Sequence, residues 1–158
     1  MTVYVECYPD LALVKNITSV SPKKICHVGS KGNVCNRLDK DSNSIGIIDE
    51  DPNCTQPALL DRMKLIKNLP GFQLKVLKDT LKNNYLIIVC PSLEGWIIDE
   101  NKQEVKKHGL PDDVIELHKK ISHRKGEGID KFKKLINNLK KKSDRLKKLG
   151  RLIESDME

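Results

Sequence analysis

No two of the five cysteines (Cys7, Cys26, Cys35, Cys54 and Cys90) stand in a C-x-x-C pair, and their number is odd. Both facts argue against a disulfide framework and against a structural zinc site. Cys26 and Cys90 fall in apolar runs, where a cysteine reads as a small buried hydrophobe rather than a catalytic thiol. His27, His108, His118 and His123 form no zinc-ligand spacing with the cysteines or with one another, and His118 and His123 read as exposed. No G-x-x-x-x-G-K-[ST], G-x-S-x-G or G-x-G-x-x-G signature occurs, so a P-loop nucleotidase, an α/β-hydrolase and a dinucleotide enzyme all lack support. No apolar run approaches the length that crosses a bilayer. The start, Met1-Thr2-Val3-Tyr4-Val5-Glu6, has neither the positive charge nor the apolar stretch of a secretory signal. A cytoplasmic protein without a membrane partner is expected.

The 158 residues suffice for one ordinary domain with an appendage, since two independent domains of half that size would each be marginal. A hydrophobic share of 38% beside 32% charged residues fits a globular chain. The formal net charge of +7 points to a polyanionic partner such as nucleic acid, and the lysines crowd the C-terminal third.

Strand and helix signals alternate along the first two thirds. Thr2 to Val5 reads as a strand, followed by a helix capped by Asp10 and running through Leu11, Leu13, Val14 and Ile17. Ile25 to Val28 is a second strand. It ends at Gly29-Ser30-Lys31-Gly32, with Val34 and Leu38 on a short helix beyond. Ile45-Gly46-Ile47-Ile48 is a compact apolar strand that runs into Asp49-Glu50-Asp51-Pro52. Leu59, Leu60, Met63, Ile66 and Leu69 follow at helical spacing, closed by Pro70-Gly71, before strands at Phe72 to Leu77 and Leu86 to Cys90. This order predicts an α/β fold, a mostly parallel sheet flanked by helices, with ligands at the carboxyl ends of the strands. A helix from about Asp112 to His123 and a long basic helix from about Ile129 to Ile153 follow. We place the α/β core at residues 1–98 and a basic helical extension at 99–158.

Asp49 and Asp51 leave a buried strand on the same side of an extended chain, with Glu50 opposed. Two carboxylates held together attract a hard cation, magnesium, manganese or calcium. A solvated turn, with Asp51 preceding Pro52 and capping the next segment, accounts for the same residues. Glu6 ends the first strand in the same way, and adjacent parallel strands would bring it to Asp49. Lys31, on its glycine-flanked turn, is placed to donate to a phosphate oxygen. An ordinary turn between strand and helix explains Gly29 to Gly32 equally well. Trp96 reads as core packing.

Val3-Tyr4-Val5-Glu6 followed by Asp10 resembles the first strand and glutamate of the Toprim domains of primases, topoisomerases and OLD-type nucleases. Ile45-Gly46-Ile47-Ile48-Asp49-Glu50-Asp51 resembles their D-x-D strand. His27-Val28-Gly29-Ser30-Lys31-Gly32-Asn33-Val34 is similar to a glycine-lysine segment of OLD-type members, and Pro91-Ser92-Leu93-Glu94-Gly95-Trp96 resembles a Pro-x-x-Glu-x-Trp segment of RloB-like relatives. The likeness covers residues 1–98 and is nearest to small stand-alone Toprim proteins. It departs from the family at Cys7, where a glycine usually follows the glutamate. The resemblance implies a Toprim-like, Rossmann-like fold and a metal-dependent nuclease, often serving defence. It also implies Glu6 as general acid, base or ligand, Asp49 and Asp51 coordinating Mg2+ or Mn2+, and Glu94 as a further ligand.

On the C-terminal segment, apolar Phe132, Leu135, Ile136, Leu139, Leu146, Leu149 and Ile153 alternate with Lys133, Lys134, Lys140, Lys141, Lys142, Arg145 and Lys148. Such a helix either tracks a phosphate backbone or docks its apolar stripe on the domain, on a second copy or on a partner protein. Its lack of large aromatics disfavours a membrane surface. Two readings of function remain: a metal-dependent phosphodiesterase acting on DNA or RNA, and a non-catalytic nucleic-acid-binding or regulatory module working with a partner. A phosphoacceptor receiver domain would need its acidic pair after the first strand, whereas here the pair follows the third.

Overall fold

The computed structural model of the chain describes residues 1–155 and 157. The strands are β1 (Val3–Val5), β2 (Ile25–His27), β3 (Ile45–Asp49), β4 (Lys64–Leu69), β5 (Leu74–Asp79) and β6 (Asn84–Val89). The helices are α1 (Tyr8–Ile17), α2 (Lys31–Lys40), α3 (Leu59–Arg62), α4 (Leu93–Lys107), α5 (Val114–Ile121), α6 (Glu127–Leu139) and α7 (Asp144–Glu154). They build one six-stranded sheet in the order β2-β1-β3-β6-β5-β4. β2, β1, β3 and β6 run parallel, β5 pairs antiparallel with β6, and β4 pairs antiparallel with β5. The expected α/β class with a mostly parallel, helix-flanked sheet is what the structure has.

Strand alternation decides which helices cover which face. Ile45 and Ile47 of β3, with Tyr85, Ile87 and Val89 of β6, face a core shared with α1, α4, α5, α6 and α7. Ile48, Leu86 and Ile88 face the opposite side, against Val34 and Leu38 of α2 and Leu59 of α3. The amphipathic stripe of the C-terminal helices therefore has its partner within the chain. Phe132, Leu135, Ile136, Leu146 and Leu149 are all buried in the same core as Val3 and Val5. Trp96 is fully buried and donates its Nε1–H to the Phe72 carbonyl at 2.7 Å. Among the described residues no helix is long and apolar enough to cross a membrane.

Two elements differ from the sequence expectation. Leu59 to Leu69 is not one helix: a single turn, α3, is followed by β4. The pairing of β4 with β5 shifts register between Leu65 and Lys67, and such an irregularity breaks the period of two, leaving apolar residues at intervals that mimic a helix. The long basic helix is likewise two helices. After Leu139 the chain turns, and Ser143 restarts the helix by accepting the Leu146 amide at 3.2 Å on its hydroxyl, with Asp144 in the first turn.

Candidate metal centre

The register of the parallel strands sets the site. Val5 of β1 lies level with Ile47 of β3, so Glu6 and Asp49 leave adjacent strand ends on the carboxyl edge of the sheet. Glu6 reaches across to β3, where its Oε2 accepts the Asp49 amide at 2.6 Å. Asp49 is fixed from the other side, its Oδ1 accepting the Leu93 amide at the start of α4 at 2.9 Å. Asp51 follows with a left-handed φ of 40°. One carboxylate oxygen from each of Glu6, Asp49 and Asp51 lies within 4.8 Å of the others, and all three residues are half-buried. Glu50 points elsewhere, bound to Lys75 on β5 at 2.6 Å, as alternation requires.

Glu6 and Asp49 are short of solvent. Burial pushes Asp49 well above the usual carboxylate range, reinforced by Asp10, Glu6, Glu94 and Asp51. Glu6 is also raised, first by burial, with Asp51 and Glu94 adding to it and the Asp49 amide and Lys31 opposing. Asp10 is a fourth carboxylate in this group. It is not the helix cap expected from the sequence. Cys7 caps α1, and the buried Asp10 accepts the Cys7 amide at 3.3 Å and the Cys7 thiol at 3.0 Å. Burial raises Asp10 too, and it pushes the Cys7 thiol far up, which leaves that sulfur protonated and unsuited to nucleophilic work. Cys26 and Cys90 are half-buried rather than fully buried, and Cys35 is the buried one.

Lys31 stands beside the triad, 3.9 Å from Asp51. Its ammonium donates to the Glu50 carbonyl at 2.9 Å and to Gln56 Oε1 at 3.2 Å. Gln56 in turn donates to the carbonyls of Asp51 and Cys54. Together they pin the loop that carries Asp51, a role for Gln56 that no sequence signal announced. Gly29 before them has a φ of 96°, and Ser30 caps α2 by accepting the Asn33 amide.

Glu94, in the first turn of α4, shares a cleft of about 440 Å³ with Glu6, Asp49 and Asp51. It is not among the three whose oxygens converge. Its nearly buried carboxylate meets His118 Nδ1 of α5 at 2.9 Å, and the Ser122 hydroxyl lies 3.1 Å from the same nitrogen. With Nδ1 committed there, Nε2 is the ring nitrogen left for other contacts. His118 is exposed, as expected, and its part in the cleft was invisible in the sequence because it lies 24 residues from Glu94. Val114 and Ile115 of α5 line the same cleft and are themselves exposed.

None of the C-terminal cations lines this cleft. Lys133, Lys134, Lys141 and Lys142 are exposed, and Lys140 and Lys148 are half-buried. Arg145 has a different place: its side chain is 12% exposed, and its guanidinium pairs with Asp99 at 2.5 Å and donates to the Trp96 carbonyl at 2.9 Å. It ties α7 to α4. Arg145→Ala is therefore expected to lower stability by about 2 kcal/mol, read as a fall in Tm, without selective loss of nucleic-acid binding.

Compared with protein-family models, with curated proteins and with solved structures, the chain matches none.

Proposed function

We propose that this chain carries out divalent-cation-dependent phosphodiester chemistry on DNA or RNA, in the manner of a Toprim-fold nuclease. The observation that carries the reading is the approach of Glu6, Asp49 and Asp51 oxygens to within 4.8 Å of one another. The donor set fits magnesium or manganese, because all three are hard carboxylate oxygens and magnesium is commonly held by one or two carboxylates plus water and phosphate. The carboxyl edge of a parallel sheet is also where such folds bind ligands. When bound, the cation would lower the pKa of a coordinated water and neutralise charge on the phosphate.

The chain's own groups have separable tasks. Glu6 and Asp49 are held rigid by the amides of Asp49 and Leu93, so their oxygens need little reorganisation to meet a cation. Lys31 and Gln56 keep Asp51 in place. Glu94 orients the His118 ring at the mouth of the cleft, where its Nε2 is placed to contact a phosphate or a water. The lysines of α6 and α7 supply attraction for a polyanion.

One observation favours a second reading, a regulatory nucleic-acid-binding module that works with a partner protein: the C-terminal cations lie outside the acidic cleft. Cleavage decides between the two. Labelled single- and double-stranded DNA and RNA, incubated with Mg2+, Mn2+ or EDTA, should be cut only with metal, and Glu6→Gln should abolish cutting while remaining folded. Binding of the same substrates with no cutting under any metal would favour the regulatory module.

A further inference from the structure

A second concavity, of about 430 Å³, lies between the end of α1 and the facing side of α7. Its lining includes Lys140, Lys147 and Arg151, with Asn16 and Ile17 of α1 on the other wall. It is remote from the acidic cleft. α1 begins beside Cys7, which lines that cleft, and its ten residues rise about 15 Å before reaching Ile17. The two helices approach closely there because residue 150 is glycine, where a Cβ would stand 2.9 Å from the Ile17 carbonyl oxygen.

The hollow gathers three cations around one concavity. Elsewhere many cations have an acidic neighbour: Lys131 meets Glu127, Lys106 meets Asp112, Lys75 meets Glu50, Arg62 meets Asp39 and Arg145 meets Asp99. Among the described residues, the side chains of Lys140, Lys147 and Arg151 have no ion pair. The one carboxylate lining the hollow among those residues, Glu154, is held by the backbone amide and hydroxyl of Ser19, at 2.5 and 2.7 Å. Three cations against one carboxylate leave the hollow net positive, a charge that a bound anion would offset.

We infer that this hollow is an anion site for a phosphate-bearing ligand, held by Lys140, Lys147 and Arg151 and separate from the acidic cleft. Arginine contributes a planar fork that matches two phosphate oxygens, and the lysines contribute mobile ammonium groups. Ile17 and Leu146 also line the hollow. The phosphate has two sources: the backbone of a nucleic-acid strand, or a free polyphosphate. The inference does not depend on catalysis at the acidic cleft.

The test is done in EDTA, so that cutting cannot intervene. Binding of tripolyphosphate by calorimetry and of a labelled oligonucleotide by anisotropy is compared across three proteins: the unaltered chain, the combined variant K140Q/K147Q/R151Q, and K64Q/K102Q/K125Q, which removes the same charge elsewhere. The site variant should lose about 10-fold in affinity and lower the slope of log affinity against log salt by about 2 to 3. The charge control should change far less. Loss for both probes identifies phosphate capture as such, and loss for the oligonucleotide alone identifies a strand backbone. The inference is overturned if the unaltered protein binds neither probe, or if the two variants weaken binding equally. Thermal melts of both variants separate lost contacts from lost fold.

Discussion

Asp49→Asn is expected to melt higher than the unaltered protein in EDTA, and to lower the proposed metal-dependent cleavage by about 10³-fold. The loss follows from the missing metal ligand, and the higher melt follows from the state of the carboxyl without metal. Burial, and then repulsion from Asp10, Glu6, Glu94 and Asp51, raise the Asp49 carboxyl above its ordinary range, so its ionised form destabilises the metal-free fold. Asparagine removes the charge yet keeps a carbonyl oxygen for the Leu93 amide, 2.9 Å away. At neutral pH the relief is about 2 kcal/mol, a rise in Tm of ~6 °C. The sign with pH follows from the same shift. A carboxyl whose pKa is higher in the folded state binds its proton more tightly there. Its contribution is complete below the ordinary carboxylate range and is lost as pH rises through the raised value. The metal-free protein should therefore lose stability as pH climbs from the ordinary range through neutrality. Added Mg2+ should restore it, and Asp49→Asn should flatten the profile. A variant that melts lower in EDTA, with the slope unchanged, would mean that the carboxylate stabilises the fold directly.

Gly128→Ala is expected to be the most damaging small substitution in the helical layer. Gly128 lies in the first turn of α6, and a Cβ there would stand 1.9 Å from the backbone oxygen of Lys120 in α5. A main-chain atom cannot swing aside as a side chain can, so the two helices must separate. The cost is about 3 kcal/mol, or roughly 10 °C in Tm. α5 carries His118, Val114 and Ile115 to the acidic cleft, so the same change should weaken the proposed activity beyond its effect on folding. Gly71→Ala is the matched control, because nothing lies within 4 Å of its added carbon, and it should shift Tm by less than ~2 °C. Equal melting of the two variants would contradict the close α5–α6 crossing.

The site was more legible than the surface around it. Glu6 and Asp49 could be read because strand ends in a parallel sheet all face one edge, whereas Asp51 lies past the end of β3 with a left-handed φ, so strand alternation does not place it. β4 could not be read, since its irregular register hides the period of two behind apolar residues at helical intervals. The break at Ser143 was available in the sequence as a serine followed by aspartate, but the continuous amphipathic pattern on both sides masked it. Arg145 shows the limit of reading charge by composition. A cation on a basic helix looks like a phosphate contact until Asp99 appears opposite it from another helix. Glu94 and His118 meet only through tertiary packing, which no local spacing encodes. Asp10 has the sequence position of a cap, and its membership of the acidic group depends on the depth of burial at the start of α1.

The central claim is that Glu6, Asp49 and Asp51 form one divalent-cation site. Calorimetric titration of metal-free protein with Mn2+ and Mg2+, beside Glu6→Gln and Asp49→Asn, tests it most directly, because both variants keep the oxygen that accepts the neighbouring amide. The unaltered protein is expected to bind saturably, and each folded variant to lose that binding. Absence of binding in the unaltered protein, or equal binding in all three, would contradict it.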